Sequence, residues 1–140
     1  MRNSFWAFLA SVVVVFAAVT LLGRVPSSAQ PSPSTAQIDH GKYIVTQLSM
    51  CMDCHGENLT GGPLPFKPAG PLPKGMTFMT AAPNLIEITR NTPPDQLAKF
   101  LMTGVGPFGK PANPPMPQYR MNADDAAAVV AYLRSVAGAK

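Results

Sequence analysis

The chain has 140 residues, enough for one domain, and 46% of them are hydrophobic. Eleven Lys and Arg against seven Asp and Glu give a net charge of +4. No run of basic residues is interleaved with aromatic ones, which argues against a nucleic-acid-binding protein.

The N-terminus predicts an export signal, residues 1–29. Arg2 precedes an uncharged run of 18 residues, 5–22, and small residues follow at 27–29. A basic start, an apolar core and a small-residue site are typical of a signal peptide, here cleaved after Ala29. The run is also long enough to cross a bilayer, so an uncleaved anchor through residues 5–22 is the alternative. Either way, we expect the rest of the chain in the periplasm or on the outer face of the cytoplasmic membrane.

The segment 30–37, QPSPSTAQ, is predicted to be a Pro/Ser linker because it has nothing to bury. Residues 38–140 are predicted to form one domain. Its first helix is expected over 38–50, with Ile38, Val45 and Leu48 near one face.

A long irregular stretch rich in proline is expected over residues 56–91. The second helix is predicted with Thr92 as its N-cap and Gly104 at its end. A further Pro/Gly loop leads to the last helix, which Asn122 caps and which ends at Gly138. The predicted fold class is all-α, with three main helices separated by long loops.

The predicted helices supply little apolar area to offset the cost of ordering these loops. Loops of more than about a dozen residues are uncommon in compact domains. We therefore expect a large apolar prosthetic group in the centre of the domain.

The only cysteines, Cys51 and Cys54, lie beside His55 in the sequence CMDCH. A disulfide would close a very small loop and leave the histidine without a role. A redox dithiol needs a βαβ setting, which the sequence does not predict. Structural zinc needs four ligands, and the only further Cys or His, His40, lies on the first helix.

Covalent attachment of one haem c accounts for all three residues of the motif. Each thiol adds to one vinyl group of the haem, and the adjacent imidazole lies under the iron. The sequence therefore predicts haem attachment through Cys51 and Cys54, with His55 as the proximal iron ligand.

From about Asp39 onward, the chain resembles a single-haem class I cytochrome c of the bacterial, exported kind. The segments that carry the resemblance are HGKYIVTQLSMCMDCHGENLTGG, APNL at 82–85, PPMPQY at 114–119 and DDAAAVVAYLRSV at 124–136. The resemblance extends to electron carriers and to cytochrome subunits of periplasmic dehydrogenases. It implies the cytochrome c fold, in which the first and last helices cross, with Gly41 and Tyr43 near Tyr132. The proline-rich stretch 62–75 and the absence of tryptophan after residue 29 depart from the family's pattern.

Met116 is the expected distal iron ligand, because thioether ligands suit an electron carrier. It stands between two prolines in the loop before the last helix, and the resemblance places the distal methionine in such an MP dipeptide. Met121 is the second candidate, and Met76 and Met79 also lie in loops. His40 is a weaker alternative.

Candidate partners of the haem propionates or of Met116 are Asn84, Tyr119 and Arg120. An iron closed by His55 and Met116 has no position for substrate, so the expected function is one-electron transfer and not catalysis. The expected partners are redox proteins of a respiratory chain: a dehydrogenase as donor, and an oxidase or another cytochrome as acceptor. If Met116 does not bind, an open-site haem enzyme or sensor for peroxide or gas is the alternative. The third possible function is that of a binding module without haem, in which a disulfide joins the two cysteines.

Overall fold

The computed structural model describes residues 32–106 and 108–138, so the predicted signal or anchor, residues 1–29, lies outside the described residues. The described part contains five α-helices, one π-helical turn and one pair of two-residue strands. The helices are α1 (Thr35–Tyr43), α2 (Cys51–His55), α3 (Leu85–Asn91), α4 (Pro94–Thr103) and α5 (Ala123–Ala137). The strands β1 (Gly62–Pro63) and β2 (Ala81–Ala82) pair antiparallel, and the π-helical turn is Ile44–Leu48. The all-α fold class is confirmed.

The first helix begins three residues earlier than predicted. The Ser34 hydroxyl caps α1 by accepting a hydrogen bond from the Gln37 amide, so the end of the predicted linker is helical. The α-helix also stops at Tyr43, where the π-helical turn takes over. Within this turn, Val45 is fully buried and Leu48 is 59% exposed, so the two do not share one face as predicted.

The first and last helices pack closely, as the resemblance implied. A side chain at Gly41 would overlap the backbone carbonyl of Ala128 and the Cβ of Tyr132. Glycine therefore allows the α1 and α5 backbones to approach each other directly. The predicted contact is confirmed for Gly41, while Tyr43 is half exposed.

The helix α3 was missed in the sequence, where residues 56–91 were expected to be irregular. The Asn84 side chain caps this helix by accepting from the Glu87 amide at 3.1 Å. Its Thr89 is 1% exposed, and the Arg90 Nε donates to the Ala137 carbonyl at 2.7 Å. Helix α3 therefore packs against the C-terminal end of α5 and satisfies one of its last carbonyls.

The last two helices have the predicted ends, with one exception. Gly104 and Gly138 end α4 and α5 in left-handed conformations, and Asn122 caps α5 by accepting from the Asp125 amide. The N-cap of α4 is Pro93 and not Thr92, and no side chain caps it. Pro94 at the first helical position lacks an amide, so one fewer donor needs a partner at the start of this helix.

The core lies between α5 and the other helices. Its buried members are Ile44, Val45, Leu59, Leu101, Ala126, Val129, Val130 and Leu133. Cys51 and Met52 of the attachment motif pack against this cluster from one side, so the core fixes the position of the motif. No helix in the described part of the chain is both long and apolar enough to cross a membrane.

Candidate haem-binding site

The attachment motif forms the short helix α2. The chain enters it through Met50, whose φ of 45° turns the backbone sharply between the π-helical turn and Cys51. Cys51 and Cys54 are both half-buried free thiols, so the disulfide alternative is not realised. Burial raises the pKa of the Cys51 thiol in the chain before haem attachment.

His55 is buried, with 5% of its surface exposed, and its ring orientation is fixed by one hydrogen bond. Its Nδ1 lies 2.8 Å from the backbone carbonyl of Pro83. Because a carbonyl oxygen only accepts, Nδ1 must carry the proton, and the lone pair is left on Nε2. No residue within 32–106 or 108–138 forms a hydrogen bond with Nε2. Imidazoles that bind metals typically have this arrangement.

The Pro83 carbonyl is held in place by the loop that follows the motif. The Gly61 amide donates to the His55 carbonyl, and the Leu85 amide donates to the Leu59 carbonyl, both at 2.8 Å. Gly61 has a φ of +77°, and a side chain there would overlap the Ala82 carbonyl and Pro83. The loop therefore passes directly against the segment that orients the histidine.

The structure does not assemble the zinc or dithiol alternatives. Among the described residues, no three His, Cys, Asp or Glu side chains come together in a way that would hold a metal ion. His40 is engaged elsewhere, with its Nε2 2.7 Å from the Asp125 carboxylate on α5. The paired strands have two residues each, which is far too little for a βαβ unit.

The methionines fall into different surroundings. Met121 and Met52 pack against the hydrophobic core, which is the ordinary role of a buried methionine. Met79 and Met102 are 37% and 39% exposed. Met116 is half-buried and does not belong to the core cluster.

The loop that carries Met116, described over residues 105–106 and 108–121, is held by bonds to two other segments, the end of α4 and residues 77–79. The Ala112 amide donates to the Gly104 carbonyl, and the Met121 amide to that of Leu101. From segment 77–79, the Met79 amide donates to the Pro114 carbonyl at 2.7 Å. The Thr77 amide donates to the Asn113 side chain at 3.4 Å. Segment 77–79 therefore holds the loop through two hydrogen bonds.

The family model for cytochrome c matches residues 38–137. The chain belongs to the cytochrome c family. No curated protein and no solved structure matches the chain.

The residues present in this cytochrome fit a covalent haem c. The two thiols lie on one turn of α2, and the adjacent imidazole offers a lone pair at Nε2 while Nδ1 is occupied. Haem c is therefore the cofactor, bound through Cys51 and Cys54, and the protein takes part in haem-based electron transfer. Members of this family are generally electron-transfer proteins and not enzymes, and their partners are redox proteins.

The three polar residues named as candidate partners of the propionates or of Met116 form hydrogen bonds within the protein. Asn84 caps α3, and Arg120 donates to the backbone carbonyls of Gln118 and Tyr119. The Tyr119 hydroxyl donates to the Ser49 carbonyl at 3.0 Å. Burial, with smaller effects from the Cys51 and Cys54 thiols, raises the pKa of Tyr119 to about 12, so its hydroxyl stays protonated at neutral pH.

Pro83 is the site residue that sequence reasoning missed. Its contribution is a backbone carbonyl, which no side-chain pattern reveals. The sequence feature nearest to Pro83 is the APNL segment that contains it, and Asn84 of this segment, together with Glu87, marks the start of α3.

Proposed function

We propose that this cytochrome is a one-electron carrier whose haem iron is bound by His55 and Met116. It would shuttle electrons between redox partners outside the cytoplasm. The single observation that carries the proposal is the His55 ring, buried and held through Nδ1 by the Pro83 carbonyl, so that Nε2 is presented as a ligand.

The hydrogen bond from Nδ1 to Pro83 does two things for such a ligand. It selects the tautomer that binds through Nε2, and it holds the ring against rotation. It also increases the electron density on the imidazole, which supports a ligand that stays bound in both oxidation states. When bound, the haem supplies an iron centre that gains and loses one electron.

Met116 is favoured over the other methionines by its surroundings. Met121 is packed on the core, an ordinary structural role, whereas Met102 is the penultimate residue of α4 and is 39% exposed. Met116 stands between Pro115 and Pro117, which fix φ on both sides and remove two backbone donors from the loop. Its thioether is not part of the core cluster, and the other loop methionines outside that cluster, Met76 and Met79, have no flanking prolines.

The proposal is tested on the exported holoprotein with two matched variants, Met116→Leu and Met121→Leu. Each removes one thioether and keeps a side chain of similar volume. The ferric wild type is expected to show the weak far-red absorption band of methionine–iron ligation. Met116→Leu should lose this band completely, while Met121→Leu should keep it.

The opposite pattern, with the band lost in Met121→Leu and kept in Met116→Leu, would transfer the ligand role to Met121. Absence of the band from the wild type would contradict methionine ligation altogether. Peroxide reduction or gas binding by an open iron would then become the leading function.

We further propose that residues 1–29 direct export to the periplasm, either as a cleaved signal or as an anchor through residues 5–22. The support is the basic Arg2, the uncharged 18-residue run and the small residues before Gln30. Mass spectrometry of the protein from the membrane and soluble periplasmic fractions tests this. A polypeptide that begins at Gln30 in the soluble fraction means cleavage, and an intact N-terminus in the membrane means anchoring.

The proposed donor is a periplasmic dehydrogenase, and the cytochrome is either a separate carrier or a subunit of that enzyme. The proposed acceptor is an oxidase or another cytochrome. Co-purification of the native cytochrome at low and high salt distinguishes the two arrangements. A dehydrogenase that stays bound at high salt indicates a subunit, and one that dissociates indicates a carrier.

A further inference from the structure

The Tyr119 hydroxyl joins two segments that are distant in sequence. Tyr119 lies three residues after Met116, and its ring packs against the hydrophobic core. Its hydroxyl donates to the Ser49 carbonyl, 70 positions away along the chain, at 3.0 Å. The bond therefore connects the end of the Met116 loop to the start of the attachment motif.

Ser49 occupies a turn that needs such a partner. Its amide closes the π-helical turn by donating to the Ile44 carbonyl, and Met50 then reverses the backbone with a φ of 45°. Carbonyls at the end of a helix have no partner within the helix, and a left-handed residue that is not glycine stores strain. The Tyr119 hydroxyl satisfies the carbonyl at this position and so stabilises the turn that leads into Cys51.

Cys51, the first point of haem attachment, and the Tyr119 ring pack against the same hydrophobic core cluster. No other side chain of the described loop, residues 105–106 and 108–121, hydrogen-bonds to residues 49–55.

We propose that Tyr119 is a positioning residue: its hydroxyl fixes the Met116 loop to the turn before Cys51 and so keeps the Met116 thioether on the iron. This inference rests on the proposed ligation by Met116. Without the hydroxyl, the ring still packs on the core, but the loop is free to move away from the attachment motif more often.

The test compares Tyr119→Phe with Tyr132→Phe in the ferric holoprotein. Tyr132 is also half-buried and packed against the core, and its hydroxyl bonds no residue of the described chain. Imidazole is added as a competing iron ligand, because it binds only when the methionine leaves. Tyr119→Phe should raise the apparent imidazole affinity about tenfold, which corresponds to the loss of about 1.4 kcal/mol from one hydrogen bond. Tyr132→Phe should leave it unchanged.

An imidazole affinity of Tyr119→Phe equal to that of the wild type would overturn the inference, and so would an equal rise in both variants. A purely structural role of the tyrosine would lower the free energy of unfolding in urea without changing imidazole binding. If the wild type lacks the far-red band, the Met116 ligation fails first, and the positioning role falls with it.

A measurement on the wild type needs no variant. The hydroxyl proton of a tyrosine that donates to a buried carbonyl exchanges slowly with water and gives its own resonance in the NMR spectrum of the ferrous holoprotein. We expect this resonance for Tyr119, with a contact to the Ser49 residue. Exchange at the rate of a free phenol would contradict the bond and with it the positioning role.

Discussion

The His55 region and the Met116 loop carry the two proposed iron ligands and are built in different ways. The His55 region, residues 51–63 with 81–85, is held by short backbone bonds between neighbouring segments, and the histidine and Leu59 are almost fully buried. The Met116 loop, residues 105–106 and 108–121, contains four prolines and is held by bonds to the adjacent end of α4 and, from farther away in the sequence, to segment 77–79 and Ser49.

The difference indicates how the two proposed iron ligands are controlled. A histidine fixed by its own attachment helix and by Pro83 has little freedom to leave. A methionine in a loop that is held by hydrogen bonds to other segments depends on those bonds. We therefore expect changes in the His55 region to affect the whole protein, and changes in the Met116 loop to affect mainly ligand exchange.

Removal of the two attachment thiols should have the largest effect. Cys51→Ala with Cys54→Ala leaves no sulfur for covalent bonds, so all haem should be extracted by acidified organic solvent from the denatured protein. Asp53→Asn, an exposed change inside the same helix, should keep the haem with the protein. Haem that remains with the double variant after denaturation would contradict covalent attachment at these residues.

Gly61→Ala should have the second-largest effect, a loss of unfolding free energy through strain in the His55 region. The new methyl group meets the Ala82 carbonyl and Pro83 at a φ of +77°, and such strain costs at least about 2 kcal/mol of unfolding free energy. Gly70→Ala is the control, since a side chain there meets nothing and should change stability by less than about 0.5 kcal/mol. Urea unfolding of both variants measures the contrast, and equal stabilities would show that the loop does not constrain Pro83.

Asn113→Ala tests the hydrogen bond between segment 77–79 and the Met116 loop. Its side chain accepts from the Thr77 amide at 3.4 Å, a long bond whose loss should cost less than about 1 kcal/mol. We expect a severalfold rise in imidazole affinity and almost unchanged urea unfolding. Asn58→Ala, in the exposed turn after the motif, should change neither. If Asn113→Ala lowered the free energy of unfolding but left the imidazole affinity unchanged, the two regions would not differ as described.

The smallest expected effect is a pH dependence. The pKa of Tyr119 is raised from 10.0 to about 12 in the folded chain, chiefly by burial, which remains when the cysteine thiols become thioethers. The protonated hydroxyl therefore stabilises the fold below pH 10, and this contribution is lost as the pH rises towards 12. The difference in unfolding free energy between the wild type and Tyr119→Phe should shrink over that window. A difference independent of pH would contradict a buried, bonded hydroxyl.

The parts predicted from sequence are those whose signals are local. CMDCH predicts the haem-attachment residues, Asn122 the start of α5, and Gly104 and Gly138 the ends of two helices. The helix α3 was missed because prolines dominate the stretch before it, although Asn84 followed by Glu87 is a local capping signal.

The remaining features depend on contacts between distant segments. The apolar pattern of residues 38–50 indicates neither the π-helical turn at Ile44–Leu48 nor the exposure of Leu48. The carbonyl of Pro83 meets His55 across 28 positions, and Tyr119 meets Ser49 across 70. Backbone carbonyls carry no residue-specific signal, so only the folded structure brings these partners together.

The central claim, an iron closed by His55 and Met116, is tested most directly by adding carbon monoxide to the ferrous wild-type holoprotein. The account predicts an unchanged visible spectrum in the wild type and ready binding in Met116→Leu, where a position on the iron is open. Immediate carbon monoxide binding by the wild type would contradict it.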